Sequence, residues 1–271
     1  MSTLPLIVDG EQLSQHLEDP DVLVVDVSSP ETHIKVHVPG AVFLEYAWIL
    51  DAQPPRMGLL PSPQQIARVL GFLGVKPDTH VVACDDEGGG RACRLLWTLD
   101  VIGHARFSLL DGGINAWLAE KREVTDSLRN PTPAEYPVPT LDGHGIADRD
   151  YILAHLDDPH TVILDARSPA EFNGSKVFAQ RGGHIPGAVN MEWTQAMDKQ
   201  RDLRLRPAEE LRARLAELGV TPDKEVITHC QSHHRSAHTY IMLRSLGFEQ
   251  VRGYPGSWSD WGNSMETPVE Q

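Results

Sequence analysis

The sequence predicts two consecutive α/β domains, each with a parallel-dominated sheet and helices on both faces. Three observations support this prediction. The chain has 271 residues, a length that suits two domains better than one. A set of short segments occurs twice along it in the same order. Within each copy, short apolar runs rich in β-branched residues alternate with helical patterns.

The internal repeat defines the two domains. Its landmarks are VLVVDVSSPETH (22–33) and TVILDARSPAEF (161–172), HVPGAV (37–42) and HIPGAV (184–189), LGVKPDTHVV (73–82) and LGVTPDKEVI (218–227), and two Gly-rich turns ending at Trp117 and Trp261. Between the copies, NPTPAEYPVPTLDGHG (130–145) contains four prolines and predicts an extended linker. We place the first domain near 5–125, the linker at 126–145 and the second domain near 146–268.

The individual elements follow from local patterns. The expected strands are 22–27, 80–84 and 106–110 in the first copy, and 161–166, 225–229 and 250–254 in the second. Ser62 is a candidate N-cap for a helix that begins at Pro63. Residues 206–219 repeat this helix and end in glycine. Ligands of parallel sheets bind at the carboxyl ends of the strands, so a site is expected there.

The composition argues against several classes of protein. Lys and Arg number 24 against 38 Asp and Glu, and the net charge of −14 disfavours binding to nucleic acid or an anionic membrane. The first residues do not resemble a signal peptide, and no run approaches the ~20 apolar residues of a membrane helix. Three cysteines without Cys-x-x-Cys spacing favour a cytoplasmic protein without disulfides. Six of the 13 histidines are candidate metal ligands that lack paired ligand spacing: His33, His37, His104, His144, His155 and His160. We therefore expect no metal and no cofactor.

Cys230 is the candidate nucleophile. It directly follows the predicted strand EVITH, and a helical pattern begins near Arg235 or Ser236. This order aims the N–H groups of the loop and of the helix N-terminus at the sulfur. Lowering a cysteine pKa from ~8.5 by two units takes ~2.7 kcal/mol, which such N–H groups are able to supply. His233, His234 and Arg235 add positive charge, and residues 229–241 contain no carboxylate.

The first copy lacks this chemistry. Aligning VITHCQSHHRSA with VVACDDEGGGRA places Asp85 opposite Cys230 in an acidic loop, which repels anions. We therefore interpret the first domain as inactive. Cys84 ends a strand and Cys93 lies within a helical pattern, so both are interpreted as structural.

Two known chemistries combine a cysteine, a short loop, an arginine and a helix. Tyrosine phosphatases use Cys-x5-Arg to hydrolyse phosphate esters, and the other chemistry is sulfur transfer. Here Cys230 and Arg235 form Cys-x4-Arg, which is one residue shorter. Because phosphate needs a wider ring of N–H donors than one sulfur atom, the short loop favours a persulfide.

The sequence resembles the tandem-domain rhodaneses, which are thiosulfate sulfurtransferases, and most resembles bacterial members whose loop reads CQTHHRS. The segments DARSPAEF, GGHIPGAVN, CQSHHRS and the Gly-x-Trp turn carry the resemblance over nearly the whole chain. It implies two tandem rhodanese-like domains and a double displacement, in which Cys230 takes sulfur from thiosulfate as a persulfide and passes it to cyanide or a thiol. It also implies that the substrate is bound by Gln231, Ser232, His233, His234, Arg235, Ser236, Asp165 and Arg167.

Several alternatives stay open. A persulfide relay supplied by a protein donor would use the same cysteine. 3-Mercaptopyruvate is a less favoured donor because the Gly-Ser-Gly loop of the animal mercaptopyruvate enzymes is absent. The animal thiosulfate enzymes have arginine where Glu171 stands, so the physiological sulfur donor also stays open. Asp165 and Arg167 fit a structural ion pair equally well. The expected partners are a small sulfur donor and a nucleophilic acceptor, with a protein in either role as the alternative, and with no nucleic acid and no membrane.

Overall fold

The computed structural model describes residues 4–271, which form two compact units. The first unit contains the chain up to Ile49, then Pro61–Asp142 and Met197–Leu205. The second contains Leu50–Leu60, Gly143–Ala196 and Arg206–Gln271. Each unit therefore includes one short segment from the other half of the sequence. The domain bounds expected from the sequence remain a prediction.

The first unit is built on five parallel strands in the spatial order β1-β7-β6-β2-β3. Its elements, numbered along the whole chain, are β1 (Ile7–Val8), α1 (Gly10–Ser14), β2 (Val22–Asp26), α2 (Pro30–Lys35), β3 (Val42–Phe43), α3 (Pro63–Leu73), β6 (His80–Cys84), α4 (Gly90–Val101), β7 (Phe107–Leu110) and α5 (Gly113–Ala119). Its buried apolar core includes Leu13, Val82, Leu110 and Trp117.

The second unit is built on four parallel strands in the order β13-β12-β8-β9. Its elements are α6 (Arg149–Ala154), β8 (Thr161–Asp165), α7 (Pro169–Phe172), β9 (Val189–Asn190), α8 (Ala208–Glu217), β12 (Glu225–His229), α9 (Arg235–Ser245), β13 (Val251–Gly253) and α10 (Ser257–Trp261). Its core includes Ile163, Ile227, Trp258 and Trp261. The predicted α/β class with parallel sheets is confirmed.

The two exchanged segments are antiparallel pairs of short strands. Strands β4 (Asp51–Gln53) and β5 (Arg56–Leu59) belong to the second unit. Strands β10 (Met197–Asp198) and β11 (Arg204–Leu205) belong to the first. The sequence analysis did not predict this exchange, because neither hairpin carries a long apolar run. Within residues 4–271, three 3₁₀ turns complete the secondary structure, at Tyr46–Ile49, Trp193–Ala196 and Lys199–Arg201.

The predicted elements match the structure closely. Strands β6 and β12 have the predicted bounds, and the others differ by one or two residues at their ends. The Ser62 side chain caps α3, which begins at Pro63 and ends at the left-handed Gly74. Residues 126–142 contain no helix or strand. Within residues 4–271, no helix combines the length and the apolar character needed to cross a bilayer.

Candidate active site

Cys230 lies at the carboxyl end of β12, an inner strand flanked by β8 and β13. The chain turns through residues 230–234 and enters α9 at Arg235, which is where the sequence predicted a helix to begin. We call residues 230–236 the cysteine loop. Its position matches the expectation that a ligand of a parallel sheet binds beyond the strand ends.

The environment of Cys230 stabilises a thiolate. The side chain is only 1% exposed, and burial alone would raise its pKa. The Arg235 guanidinium, the hydroxyl and N–H of Ser236 and the N–H of Ser232 oppose burial and lower the Cys230 pKa from 9.0 to about 7. The sequence analysis expected N–H groups to be able to supply this shift, with added positive charge from the loop; here the Arg235 charge is the largest of the effects that oppose burial.

Glu171 fixes the orientation of Arg235. The two terminal nitrogens of Arg235 donate to the two carboxylate oxygens of Glu171, at 2.7 and 2.8 Å. Burial alone would raise the Glu171 pKa, but this ion pair lowers it to about 2. Ser168 caps α7 and donates its N–H and hydroxyl to Glu171, which completes a capping box. Sequence reasoning did not select Glu171 as a site residue, although Ser-x-x-Glu after a strand is a recognisable capping signal.

Residues at the N-terminus of α10 form hydrogen bonds with the cysteine loop. The Ser257 hydroxyl accepts the N–H groups of Cys230 (3.2 Å) and His233 (3.1 Å) and donates to the Tyr254 carbonyl (2.7 Å). The Trp258 N–H donates to the Cys230 carbonyl at 2.9 Å. Ser257 was not among the predicted site residues. Its only sequence signal is a serine at the position where the first copy has glycine.

Other predicted loop residues differ in position. Gln231, Ser232 and His234 are partly exposed. His233 is fully buried, has a left-handed backbone (φ 54°), and its Nδ1 lies 2.8 Å from the Ser236 hydroxyl oxygen. Ser236 in turn bonds to Cys230, so the contacts link His233 to the sulfur through Ser236 and not from the exposed side of the loop.

Asp165 and Arg167 form a buried ion pair beside the loop. Arg167 Nε lies 2.9 Å from Asp165 Oδ2, and both side chains are almost completely buried. Arg167 also donates to the Gly183 carbonyl (2.8 Å) and lies over the Trp258 ring. His229 Nε2 is 3.5 Å from Asp165 Oδ2, and burial lowers the His229 pKa to about 4. Of the two interpretations left open by the sequence, this geometry favours the structural ion pair.

The remaining cysteines have the opposite environment. Burial, followed by the negative charge of nearby aspartates, raises the pKa values of Cys84 and Cys93 well above their ordinary range. Cys84 ends β6 and Cys93 lies in α4. Both thiols are free and buried. The structure thus gives Cys230 alone of the three a lowered pKa.

The Rhodanese-like domain family matches residues 9–120 and again 148–264. The chain belongs to the rhodanese-like family. A thiosulfate sulfurtransferase of Azotobacter vinelandii is 47% identical over 99% of this chain and 98% of its own length. One from Pseudomonas aeruginosa is 44% identical with the same coverage. The sulfur carrier protein TtuD of Thermus thermophilus is 33% identical over 97% of this chain and 96% of its own length.

Solved structures support the fold. The structure of EanB has a TM-score of 0.87 at 19% identity and covers 98% of this rhodanese-like chain and 69% of its own. An anaerobic ergothioneine biosynthesis enzyme from Chlorobium limicola has a TM-score of 0.86 at 20% identity. At this identity the likeness concerns architecture alone. The family match and the full-length relatives together identify the chain as a sulfurtransferase.

Proposed function

We propose that this chain transfers the outer sulfur of thiosulfate through a persulfide on Cys230. The observation that carries the proposal is the environment of one thiol. A guanidinium, a hydroxyl and two N–H groups converge on Cys230 at a strand end and lower its pKa to about 7. About half of the thiol is then ionised at neutral pH, which gives a nucleophile without a neighbouring general base.

The reaction is a double displacement. In the first step the Cys230 thiolate attacks the outer sulfur of thiosulfate, forming a new S–S bond while the bond to the sulfonate sulfur breaks. The electron pair of the broken bond leaves with sulfite. In the second step a nucleophile, either cyanide or a thiol, attacks the outer sulfur of the persulfide and the Cys230 thiolate is regenerated. The same groups that stabilise the thiolate stabilise both departing anions.

The other site residues have different roles in this proposal. Arg235 faces Cys230 and is held by Glu171, so it stabilises negative charge on the sulfur and on the incoming sulfonate. Gln231, Ser232 and His234 line the exposed side of the loop, where the substrate arrives. Ser236 donates to the sulfur, and His233 orients Ser236. Asp165 and Arg167 position the strand end beneath the loop rather than contact substrate.

The decisive experiment is the mass of the intact protein after incubation with thiosulfate. We expect a gain of about 32 Da, one sulfur atom, which disappears when cyanide is added. The gain should be absent in Cys230→Ala and retained in Cys84→Ala and Cys93→Ala, which are matched controls because both thiols are buried with raised pKa values. A gain that survives Cys230→Ala overturns the assignment.

A persulfide relay is the second candidate, and the likeness to a sulfur carrier protein favours considering it. An enzyme releases thiocyanate repeatedly from thiosulfate and cyanide, whereas a relay needs a protein donor to reload. Multiple turnovers with the two small molecules alone support the enzyme. A single turnover that becomes continuous only with a protein donor supports the relay. 3-Mercaptopyruvate and an aryl phosphate, assayed in parallel, test the two remaining donor classes.

The proposed partners are thus a small sulfur donor and a nucleophilic acceptor, with a protein in either role under the relay alternative. The proposed compartment is the cytoplasm. The support is that Cys84, Cys93 and Cys230 are all free thiols. We also propose that the first domain is inactive in sulfur transfer, since a carboxylate, Asp85, stands at the position of the nucleophile.

A further inference from the structure

The hairpin of β4 and β5 belongs to the unit that contains the cysteine loop. Residues Leu50–Leu60 lie in the first half of the sequence, within the first match to the family at 9–120. In the structure they pack in the second unit, where β5 contacts α10. The first half of the sequence therefore supplies part of the surroundings of Cys230.

Gly58, in β5, lies directly against the cysteine loop. A β-carbon placed on Gly58 would be 1.9 Å from the Ser232 carbonyl oxygen, 2.5 Å from its carbonyl carbon and 2.9 Å from its α-carbon. These are backbone atoms, so no side chain is able to rotate away. The Gly58 backbone is not left-handed, and conformation alone therefore does not require glycine here. The close approach of the two backbones is what requires it.

A second contact ties the same hairpin to the loop through α10. The Met57 N–H donates to the Ser259 hydroxyl at 3.1 Å, and this hydroxyl donates to the Gly256 carbonyl at 2.7 Å. The Ser259 N–H donates to the Gln231 carbonyl at 3.0 Å. Two adjacent hairpin residues thus restrain two adjacent loop residues. Gly58 packs directly on Ser232, and Met57 is linked to Gln231 through Ser259.

The restrained residues direct an N–H group at the sulfur. The Ser232 N–H is one of the groups that lower the Cys230 pKa. Its direction depends on the positions of the Gln231 carbonyl, which accepts from the Ser259 N–H, and of the Ser232 α-carbon, which lies against Gly58 together with the Ser232 carbonyl. A displacement of Ser232 would therefore turn a hydrogen-bond donor away from the thiolate, and such bonds weaken steeply with misalignment.

We propose that Gly58 is a positioning residue for sulfur transfer. Its lack of a side chain lets β5 pack directly on the Ser232 backbone, and this packing keeps the Ser232 N–H directed at Cys230. The inference rests on the proposed role of Cys230. It adds a residue from the inactive half of the repeat to the machinery of the active half.

The test is Gly58→Ala, with the rate of alkylation of Cys230 by iodoacetamide measured against pH and quantified on its own peptide. We expect the apparent Cys230 pKa to rise by about one unit, and the rate at pH 6 to fall about tenfold. The kcat/KM for thiosulfate at that pH should fall by a similar factor. Alkylation measures the Cys230 thiolate without requiring sulfur transfer. The positioning role of Gly58 is therefore tested even if Cys230→Ala retains activity and the proposed role of Cys230 fails.

Gly71→Ala is the matched control. Gly71 lies in α3 of the first unit, has no left-handed backbone, and its β-carbon would lie 2.7 Å from the Ala134 carbonyl oxygen. It should lower the melting temperature without moving the Cys230 pKa. An unchanged alkylation profile in Gly58→Ala, or an equal shift in Gly71→Ala, overturns the proposal.

A second variant covers the case in which Gly58→Ala does not fold. Ser259→Ala removes the acceptor of the Met57 N–H and leaves Gly58 in place. It should raise the Cys230 pKa by a smaller amount than Gly58→Ala does. The rate of alkylation at pH 6 should therefore fall by about two- to threefold. A folded Ser259→Ala with the wild-type profile counts against positioning by this hairpin.

Discussion

The loops after β6 and β12 present equivalent N–H groups to different anions. In the first unit, Asp85 accepts the N–H groups of Glu87 (3.0 Å), Gly89 (2.8 Å), Arg91 (2.9 Å) and Ala92 (3.0 Å). In the second, the donors to Cys230 are Ser232 and Ser236, which align with Glu87 and Arg91. The ring of donors is thus a property of the strand–loop–helix backbone, and one side chain decides which anion occupies it.

The comparison also separates what the N–H groups contribute from what a cation contributes. Burial raises the Asp85 pKa to about 6, although three of its donors oppose that shift. The Cys230 pKa, in contrast, falls to about 7. Gly90 aligns with Arg235, and the Arg91 guanidinium pairs with Asp86 at 3.3 Å rather than with Asp85. In the first loop the N–H groups do not offset burial and the added charge of Glu87, whereas in the second loop the Arg235 guanidinium and the Ser236 hydroxyl join the N–H groups and the pKa falls.

The largest effect is expected from Asp85→Ala, which removes the carboxylate that accepts the ring of N–H donors in the first unit. The N–H groups of Glu87, Gly89 and Ala92 lose this acceptor, while that of Arg91 also donates to Glu87, and we expect the free energy of unfolding of the first unit to fall by roughly 3–5 kcal/mol. Urea unfolding measures it. Glu87→Ala is the control, because the Glu87 carboxylate accepts the Arg91 N–H of the same loop and is partly exposed, so it should cost less than ~1.5 kcal/mol. Equal losses in the two variants would show that the Asp85 carboxylate does not hold the loop.

The next largest effect is expected from Arg235→Ala, which makes the second loop resemble the first. The Cys230 pKa should rise above its present value, and kcat/KM for thiosulfate should fall by about 10²–10³-fold because the charge facing the sulfur is lost. Arg235→Lys keeps the charge and loses the two-pronged contact with Glu171, so we expect a smaller decrease, about tenfold. Alkylation and steady-state rates at several pH values provide both quantities. Wild-type kinetics in Arg235→Ala would contradict the role of the cation.

A moderate effect is expected from pH in the unmodified protein. The thiolate is the reactive form, and its pKa is about 7, so kcat/KM should be constant above pH 8 and fall about tenfold per pH unit below pH 6. Cys84 and Cys93 have raised pKa values and should not be alkylated in the same range. A midpoint near 8.5 would mean that the cysteine loop does not perturb its thiol.

The sequence was sufficient for the architecture and for the position of the proposed nucleophile. Strand–helix alternation and the repeated landmarks depend on local patterns, and β12, Cys230 and the start of α9 were predicted within a residue. The same alignment identified Asp85 as the counterpart of Cys230, but did not reveal that its carboxylate occupies the same ring of donors. That fact depends on loop geometry, which a gap-free alignment does not contain.

What the sequence did not reveal are contacts between residues far apart in the chain. Glu171 is 64 residues from Arg235, and Met57 is 202 residues from Ser259. Neither pair is linked by a periodic pattern. His233 was expected to bind substrate because the family resemblance implies it, yet its side chain is buried and its backbone is left-handed. The positive φ of one non-glycine residue, His233, changes the direction of its side chain, and the polarity of a histidine alone predicts exposure.

The smallest effect is expected from Ser257→Gly, which copies the first unit at the residue beneath the loop. Ser257 and Gly113 occupy equivalent positions with φ of 50° and 57°, and the N–H of the next residue in each unit donates to the carbonyl of Cys230 or Asp85. A serine in this conformation costs ~1–2 kcal/mol that glycine avoids, whereas the Ser257 hydroxyl makes three hydrogen bonds that glycine loses.

The two changes nearly cancel, so the free energy of unfolding should change by less than ~1 kcal/mol. Transfer should still slow by about three- to tenfold, because the Cys230 and His233 N–H groups lose the acceptor that fixes the loop. Ser257→Ala keeps the strain and loses the hydroxyl, and should be less stable than Ser257→Gly by ~1 kcal/mol with the same loss of rate. Thermal unfolding and steady-state kinetics on both variants separate strain from positioning. If Ser257→Gly transfers sulfur at the wild-type rate, the backbone contact shared by the two units is sufficient, and the serine hydroxyl has no part in shaping the loop.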